Sequence, residues 1–548
     1  MFPQHQQPSK SSVPPISPNS GQAQGRAVDK GLTKQSIISK AIHVGGSTLI
    51  SRIFGTVREA LMSRYLGASG LSDAFFLAFK IPNSARKMFA EGAVSAAFVP
   101  VYLQVSRTHG QKHADSLMSL SFIAFESMVV VFCGLVMWYA PSVVATLAPG
   151  FDAVQLAQAV PYVRIMMPFI FFISTSALFA GALQSVNHFL IPALAPIILN
   201  VAMISALIFS LLFKLSVSTV CWAVVAGGAL QCIAHAITYA RYSLSFGSIN
   251  AQTVHYFGSM LVRFLLCLIS VSTAEINDII DAQFASRLPA GSLSLLYYAG
   301  RYVAIPLGVF AIAFSTILLP HFSRVVVHAR ARMGFYILES VKLITWVIVP
   351  VAILLAALGH KLFITIAVSD KFTLVHAYKA QQILCAAVPG LLFLSLNKIF
   401  LNTYYALGNT WIPGITTTCA VIFNIVCNYL LVEKFQAVGL AIATTISASV
   451  QTILLIVLLQ TYFGVRIYFG RFFQFVLRIC LQYAVGFTGF SVLYTGCVFL
   501  LSCLPEWYIW LLEDTLCYWL WAGPLCALLA LYLFASRTWF GIKLHFID

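Results

Sequence analysis

The sequence predicts an all-α, polytopic membrane protein, and two features of its composition carry that prediction. Of its 548 residues, 60% are hydrophobic and only 9% are charged, whereas a soluble domain carries about 25% charged residues. Apolar stretches recur from about residue 37 to residue 535, and each is long enough to cross about 30 Å of hydrocarbon as a helix. We therefore expect about fourteen transmembrane helices.

The predicted elements follow the hydropathy of the chain in order. Residues 1–35 are rich in Gln, Ser and Pro and contain no apolar core, so we expect a disordered tail there and no cleavable signal sequence. The predicted spans after it are residues 37–64, 72–105, 116–146, 159–185, 189–213, 218–240, 255–287, 293–322, 337–360, 380–407, 411–432, 437–463, 472–502 and 515–536.

An internal repeat indicates how these spans are grouped. Residues 179–192 align with residues 400–413, and each copy ends one span, turns briefly and enters the next at Ile-Pro. Both copies fall between the fourth and fifth spans of a six-span unit, which predicts two pseudo-symmetric six-helix bundles facing a central cavity. The expected bundles cover residues 36–245 and 246–465. Residues 466–548 add two further helices and a short cytoplasmic end.

The positions of Lys and Arg predict the orientation of the chain. The N-terminal tail and loop 324–336 are basic, whereas loop 147–158 has no Lys or Arg and loop 503–514 has only acidic charges. Because basic loops stay in the cytoplasm, we expect both termini there. Loop 361–379, with three lysines, is the exception. The net charge of +16 then comes mainly from the basic loops that set the orientation in the membrane, and it does not indicate nucleic-acid binding.

Several classes of chemistry leave no signature in the chain. The sequence contains no G-x-x-x-x-G-K-[ST] motif and no G-x-S-x-G motif, which argues against an ATP-driven pump and against an α/β-hydrolase. The twelve cysteines form no C-x-x-C pair and have no His at metal-ligand spacing, so we interpret them as small packing residues. We expect a transporter rather than an enzyme.

Four arginines lie inside predicted spans, namely Arg52, Arg58, Arg86 and Arg301. A charged side chain at the centre of a bilayer costs about 2.5–3.5 kcal/mol on insertion scales, so such residues usually face a bundle interior or a watered cavity. The guanidinium group makes bidentate contacts with phosphate oxygens. We therefore interpret the four arginines as the lining of a cavity that binds an anion.

The second span supports the same interpretation. Asp73, Lys80 and Lys87 are spaced by seven residues along one stripe, and Pro82 and Gly92 interrupt the helix, as in transporter helices whose broken turns line a binding site. A web of interhelical salt bridges is the alternative. Its acidic members would be Glu59, Asp73 and Glu91.

A second polar set occupies the seventh and eleventh spans. Its acidic members are Glu275, Asp278 and Asp281, and Asn424 and Asn428 face them at i, i+4 spacing. Hard oxygen ligands on two helices could hold a small cation such as Na⁺. In the alternative, which the sequence leaves open, these acids pair with the cavity arginines or line water.

Several sequence blocks resemble a known transporter family. The longest are residues 51–59 (Ser-Arg-Ile-Phe-Gly-Thr-Val-Arg-Glu), 72–76 (Ser-Asp-Ala-Phe-Phe), 79–83 (Phe-Lys-Ile-Pro-Asn), 89–93 (Phe-Ala-Glu-Gly-Ala) and 297–301 (Tyr-Tyr-Ala-Gly-Arg). On these blocks the chain resembles the MurJ family of lipid II flippases, within the multidrug/oligosaccharidyl-lipid/polysaccharide exporter superfamily. The resemblance runs from about residue 36 to the end of the twelfth span and is weaker beyond it.

The resemblance implies roles for particular residues. It implies that the four arginines grip the diphosphate of lipid II, that Asp73 is important, and that Asp281, Asn424 and Asn428 approximate a sodium site. It also implies that the last two helices form a groove for the polyprenyl tail, and that the substrate moves from the inner to the outer leaflet by alternating access. Cell-wall synthesis or division proteins are further expected partners in peptidoglycan biosynthesis.

One departure from the family pattern concerns gating. Many members have an acid three residues after the eighth-span arginine, where this chain has Ala304; an ion pair made by that acid must be absent or replaced, with Glu275 and Asp278 as candidates. Two alternatives within the superfamily are an exporter of another polyprenyl-diphosphate-linked oligosaccharide and a cation-coupled drug antiporter. A drug antiporter should favour carboxylates over arginines in its cavity, and a structural scaffold would need no buried arginines.

Overall fold

The computed structural model describes residues 51–88, 94–186, 188–503 and 516–546, and this part of the chain contains helices and no strand. The expected tail at residues 1–35, the start of the first span, Glu91 and nearly all of loop 503–514 lie outside the described residues. The prediction of an all-helical chain is confirmed for the described residues.

Helix α1 covers residues 51–66, and the other helices follow with short connections. They are α2 (Gly70–Ala85), α3 (Ser95–His109), α4 (Gln111–Trp138), α5 (Ala140–Leu147), α6 (Ala153–Met166), α7 (Phe169–Ser185), α8 (Leu190–Phe213), α9 (Val217–Arg241), α10 (Ala251–Ser286), α11 (Ser292–Pro306), α12 (Ala313–His328), α13 (Met333–Ala367), α14 (Leu374–Ala406), α15 (Trp411–Phe463), α16 (Phe469–Ser502) and α17 (Trp519–Ser536). A π-helical segment, Leu307–Ile312, joins α11 to α12.

Ten helical segments in the described residues are long and apolar enough to cross a membrane, so the chain is a multi-pass membrane protein. The expected count of fourteen spans stays a prediction. Helix α15 runs through two predicted spans, and its backbone leaves the helical conformation between them at Gln436, where φ is 50°. This break allows one helical segment to contain both predicted spans.

The helices form two groups that share α10. Helices α2 to α9, which we call the N-terminal helix group, pack mainly on one another, as do α11 to α15, the C-terminal helix group. The first half of α10 packs on α4, with the rings of Phe264 and Phe125 4.8 Å apart, whereas Asp281 near its end accepts a hydrogen bond from Asn428 of α15 at 2.7 Å. The bundle boundary predicted at residue 245 stays a prediction, because α10 belongs to both groups.

Helices α16 and α17 are attached to α13 by buried polar side chains. The Gln482 side chain is fully buried; it accepts a hydrogen bond from Trp346 Nε1 at 3.1 Å and donates one to the Leu533 carbonyl at 2.7 Å. Tyr483 donates to the Trp346 carbonyl at 2.7 Å. Because lipid offers no competing hydrogen bonds, polar contacts of this type hold membrane helices together.

Candidate functional site

Three adjoining cavities lie between the helix groups, with volumes of about 430, 180 and 510 Å³. Arg301 lines all three. Arg58 lines the second and third, Arg86 the first and third, and Arg52 the second. The structure therefore brings all four intramembrane arginines to one connected set of cavities, walled by α1, α2 and α11 and closed at the sides by α7 to α10, α14 and α15.

Arg58 and Glu59 form the centre of a polar cluster on α1. Arg58 Nη1 donates to Asn200 Oδ1 at 2.9 Å, and Nη2 donates to Glu59. Glu59 also accepts a hydrogen bond from the Tyr297 hydroxyl at 3.2 Å and pairs with Arg301 Nε at 3.6 Å. Arg58 Nε is buried and has no hydrogen-bond partner among the described residues.

Arg52 reaches from α1 to the end of α11. Its Nη1 atom donates to the Ile305 carbonyl at 3.3 Å, and its guanidinium lies against Gly308, where any Cβ atom would overlap it. Gly308 belongs to the π-helical segment, whose wider turn and missing side chain make room for the arginine. Arg52 is thus a contact between α1 and the C-terminal helix group.

Arg301, whose family partner would be an acid at the position of Ala304, pairs here with residues of α11 and α1. Arg301 Nη2 donates to the Tyr297 hydroxyl at 2.6 Å, its guanidinium lies 4.5 Å from the centre of the Tyr297 ring, and its carboxylate partner is Glu59. Glu275 and Asp278, the replacements suggested by the sequence, pair instead with Lys87, at 2.9 and 3.7 Å.

The second half of α2 presents its basic residues to the first cavity. Pro82 lies within α2, and a wider turn follows at residues 86–88. Lys80 and Lys87 both line the cavity; Lys80 Nζ donates to the Asp278 carbonyl, while Arg86 Nη2 donates to Asn83 Oδ1 at 3.0 Å. The Lys80 contact connects α2 with α10, whereas the Arg86 contact is local to the end of α2.

Asp73 occupies a different place from Lys80 and Lys87. Its carboxylate is 3% exposed and accepts hydrogen bonds from the backbone N–H groups of Gly291 and Ser294, both at 2.7 Å. It therefore caps the start of α11 and does not line any of the three cavities. In this conformation Asp73 is a contact between the helix groups, and its predicted part in substrate binding stays a prediction.

Further contacts join α1 to the C-terminal helix group at the same end of the molecule, which we call the latch end (residues 64–73, 286–294 and 365–372). Arg64 donates to the carbonyls of Ile366 and Thr365 at 2.9 and 3.2 Å. Lys371 donates to the Tyr65 carbonyl at 2.9 Å. The sequence analysis missed these residues, although the lysines of loop 361–379 gave a signal by breaking the charge rule.

The oxygen-rich residues of α10 and α15 also meet. Asn428 Nδ2 donates to Asp281 Oδ1 at 2.7 Å and to Asn424 Oδ1 at 2.8 Å. The hydroxyl of Thr444, which the sequence analysis did not single out, lies 3.5 Å from Asp281 Oδ2. Asn428 Oδ1 is buried and lacks a hydrogen-bond partner within the described ranges. The described residues contain no group of three His, Cys, Asp or Glu side chains that could hold a metal ion.

The charge balance of the cavities is positive. The six basic lining residues are Arg52, Arg58, Lys80, Arg86, Lys87 and Arg301, and the acidic lining residues are Glu59, Asp278 and Asp281. Glu275 lies behind Lys87 as a fourth acid. An excess of two positive charges stays after these acids are counted, so the described cavities suit a ligand with at least two negative charges.

Comparison with known proteins supplies a family for this arrangement. Residues 62–508 match the family model described as "Lipid II flippase MurJ". The chain is 30% identical over 440 residues to a probable lipid II flippase MurJ of Buchnera aphidicola, covering 77% of this chain and 83% of that protein. It is also 30% identical over 472 residues to the lipid II flippase MurJ of Burkholderia cenocepacia, covering 85% of this chain and 88% of that protein.

Solved structures have the same fold. The lipid II flippase MurJ in an inward closed conformation superimposes with a TM-score of 0.74 and 24% identity, over 91% of this chain and 99% of that one. An inward-facing multidrug resistance transporter of the MATE family superimposes with a TM-score of 0.66 and 13% identity, over 77% of this chain and 99% of that one.

Proposed function

Because the chain belongs to the MurJ family of lipid II flippases, we propose that it moves lipid II, the lipid-linked peptidoglycan precursor, from the inner to the outer leaflet of the bacterial inner membrane. The observation that carries this proposal is the positive cavity set in which Arg301 faces all three compartments. A diphosphate offers the paired oxygens and the negative charge that clustered guanidinium groups bind best. No bond of the substrate is made or broken, so the protein is a transporter.

The binding step follows from the present pairing of the arginines. Arg58 and Arg301 share the Glu59 carboxylate, and Arg58 Nε is unsatisfied among the described residues. A diphosphate entering the cavity would compete with Glu59 for both guanidinium groups. The disaccharide-pentapeptide head would occupy the cavities while the polyprenyl tail stays in lipid, along a groove that we assign to α16 and α17.

Alternating access then requires the latch end to separate. We assign that end to the outer side of the membrane, fourteen spans to the chain and a cytoplasmic position to both termini, on the charge pattern of the loops. Cysteine-accessibility labelling should reach loop 147–158 from outside and loop 324–336 only after permeabilisation. The opposite pattern would overturn the orientation. Association with cell-wall synthesis or division proteins belongs to the same proposal.

The decisive experiment for the transport function is depletion of the protein with complementation. Cells that lack it should accumulate lipid II in the inner leaflet, measured by its accessibility to an external lipid II-modifying enzyme, and the wild-type gene should restore exposure on the outer leaflet. Unchanged outer-leaflet lipid II on depletion would contradict the proposal. In that case an exporter of another polyprenyl-diphosphate-linked oligosaccharide becomes the better reading, because the positive cavity would serve that substrate equally well. A cation-coupled drug antiporter fits less well, since arginines outnumber the carboxylates that such a cavity should favour.

We also propose that Asp281, Asn424, Asn428 and Thr444 hold Na⁺. The buried, unpartnered Asn428 Oδ1 and the Asp281 carboxylate are hard oxygen donors of the kind this cation requires. Na⁺ at 100 times its dissociation constant stabilises a protein by about 2.7 kcal/mol. Thermal stabilisation of the purified protein by Na⁺ should weaken sharply in Asp281→Asn and persist in the control Asp278→Asn, whose side chain is half exposed. An unchanged response in Asp281→Asn would reduce these residues to structural contacts.

A further inference from the structure

Glu126 in the middle of α4 is the one buried acid of the described residues that makes neither an ion pair nor a hydrogen bond of good geometry. Its side chain is buried, at 4% exposure, and neither carboxylate oxygen has a hydrogen-bond partner among the described residues. The other four buried acids there all have partners. Asp73 accepts backbone N–H groups, Asp115 accepts Gln111 and Ser245, Glu275 pairs with Lys87, and Glu339 pairs with Lys342.

Two hydroxyl groups on α7 face this carboxyl. Ser174 and Thr175 interact with Glu126, yet both hydroxyl oxygens, also buried, make no hydrogen bond of good geometry in the described part of the chain. Four oxygen atoms from two helices are therefore gathered in one place with unused capacity. A carboxylate and two hydroxyl groups with unused capacity in one place are hard oxygen donors of the kind that a small cation binds.

The surroundings of Glu126 contain no compensating positive charge. The titratable groups that interact with it are two thiols, Cys133 on α4 and Cys232 on α9. Helix α7 contributes hydroxyls only. Helices α3, α5, α6 and α10 also pack on α4, and no ion pair joins Glu126 to a described side chain of any of them; Arg164 of α6 donates instead to the Met137 carbonyl. A bare carboxylate in such surroundings is strongly disfavoured, and a bound cation removes the penalty.

We propose that Glu126, Ser174 and Thr175 form a binding site for one monovalent cation, a proton or Na⁺, inside the N-terminal helix group. The site is separate from the oxygen-rich group of α10 and α15 and uses no residue of the cavity arginine cluster. Gln231 and His235 line the third cavity on the same helix as Cys232, which interacts with Glu126. An ionisable residue buried in a membrane helix is typical of proton and ion pathways.

Two measurements on the purified full-length protein test the site, and neither depends on lipid II transport. In the first, infrared spectroscopy follows the carbonyl band of protonated carboxylic acids; one such band should lose intensity as the pH rises and be missing from Glu126→Gln. In the second, unfolding temperatures are compared in NaCl and choline chloride; a Na⁺-dependent rise that Glu126→Gln lowers on its own, and lowers further when it is combined with Asp281→Asn, identifies Na⁺ as a ligand of this site. Glu339→Gln, which removes a buried but paired acid, is the matched control and should alter neither signal.

The outcomes separate the alternatives. A titrating band assigns a proton to the site, and a selective loss of the Na⁺ response assigns Na⁺. A Glu126→Gln protein with the same infrared spectrum and the same Na⁺ response as wild type would overturn the proposal, as would an acid band that never changes with pH. If Glu126→Gln fails to fold, Thr175→Val keeps the carboxyl and removes one hydroxyl ligand; it should shift the titration or weaken the Na⁺ response, and no change in either would overturn the site.

Discussion

Replacing Asp73 by Asn tests whether this residue closes the latch end. The carboxylate accepts two backbone N–H groups at 2.7 Å, and a hydrogen bond to a charged group contributes about 1.5–3 kcal/mol. An amide oxygen can keep one of these bonds in weakened form, while the amide NH₂ faces the second donor. The closed state should therefore lose about 2–4 kcal/mol, which corresponds to a roughly 30- to 1,000-fold shift towards opening at that end.

Hydrogen–deuterium exchange on the unlabelled protein measures this shift directly, because the donors are themselves exchangeable amides. Peptides covering residues 286–294 should exchange faster in Asp73→Asn by a factor within that range, since exchange reports local opening. Peptides within α14, away from the latch end, should exchange as in wild type. Asp370→Asn is the matched control, because Asp370 is an exposed acid at the same end. Unchanged exchange of residues 286–294 in Asp73→Asn would refute the reasoning and return Asp73 to the substrate-binding set.

Three other experiments test the cavity and its supports. Arg58→Ala and Arg58→Lys should both fail to complement flippase-depleted cells at wild-type membrane abundance, because a point charge does not reproduce the guanidinium fork that bonds Asn200 and Glu59. Complementation by Arg58→Lys would contradict this, and Arg241→Ala, at an exposed position, should complement fully. A double-mutant cycle on Lys87→Met and Glu275→Gln should give a coupling of about 1 kcal/mol in thermal unfolding, discounted for the partial exposure of Lys87; additive effects would mean that the pair does not interact. Gln482→Leu should lower the unfolding temperature through a loss of roughly 1–3 kcal/mol, and an unchanged value would mean that apolar packing alone holds α16 and α17.

The helical pattern and the cavity arginines could be predicted from the sequence, because both follow from the cost of placing polar groups in hydrocarbon. The depth of a residue along its helix could not. Asp73, Lys80 and Lys87 lie at seven-residue spacing on one face of a helix, but only the two lysines line the cavity. The spacing determines which face the residues share and does not determine how far along the helix axis the cavity extends. Pairing partners were equally hidden: Arg301 finds Glu59 on α1, a contact between residues far apart in the chain.

Lys371 shows why a charge rule fails at a particular place. Loop 361–379 carries three lysines, although the rest of the charge pattern predicts that it lies outside. In the structure Lys371 Nζ donates to the Tyr65 carbonyl at 2.9 Å and lies 5.0 Å from the centre of the Tyr65 ring. Gly67, with φ of +70°, leaves no room for a side chain against the Lys371 backbone. Lys371 therefore contributes to the contacts that close the latch end. This structural role accounts for a lysine at a place where the charge rule disfavours one.

Glu59 connects the binding of an anion to the interface between the helix groups. In the closed conformation it holds Arg58 of its own helix and Arg301 of α11 at once, so the arginines that would bind a diphosphate also contribute to the closure. A ligand shifts a conformational equilibrium only by its differential affinity for the two states. A diphosphate that takes Arg301 away from Glu59 supplies such a difference, because it removes a contact of the closed state. By linkage, conditions that open the interface must strengthen anion binding by the same factor.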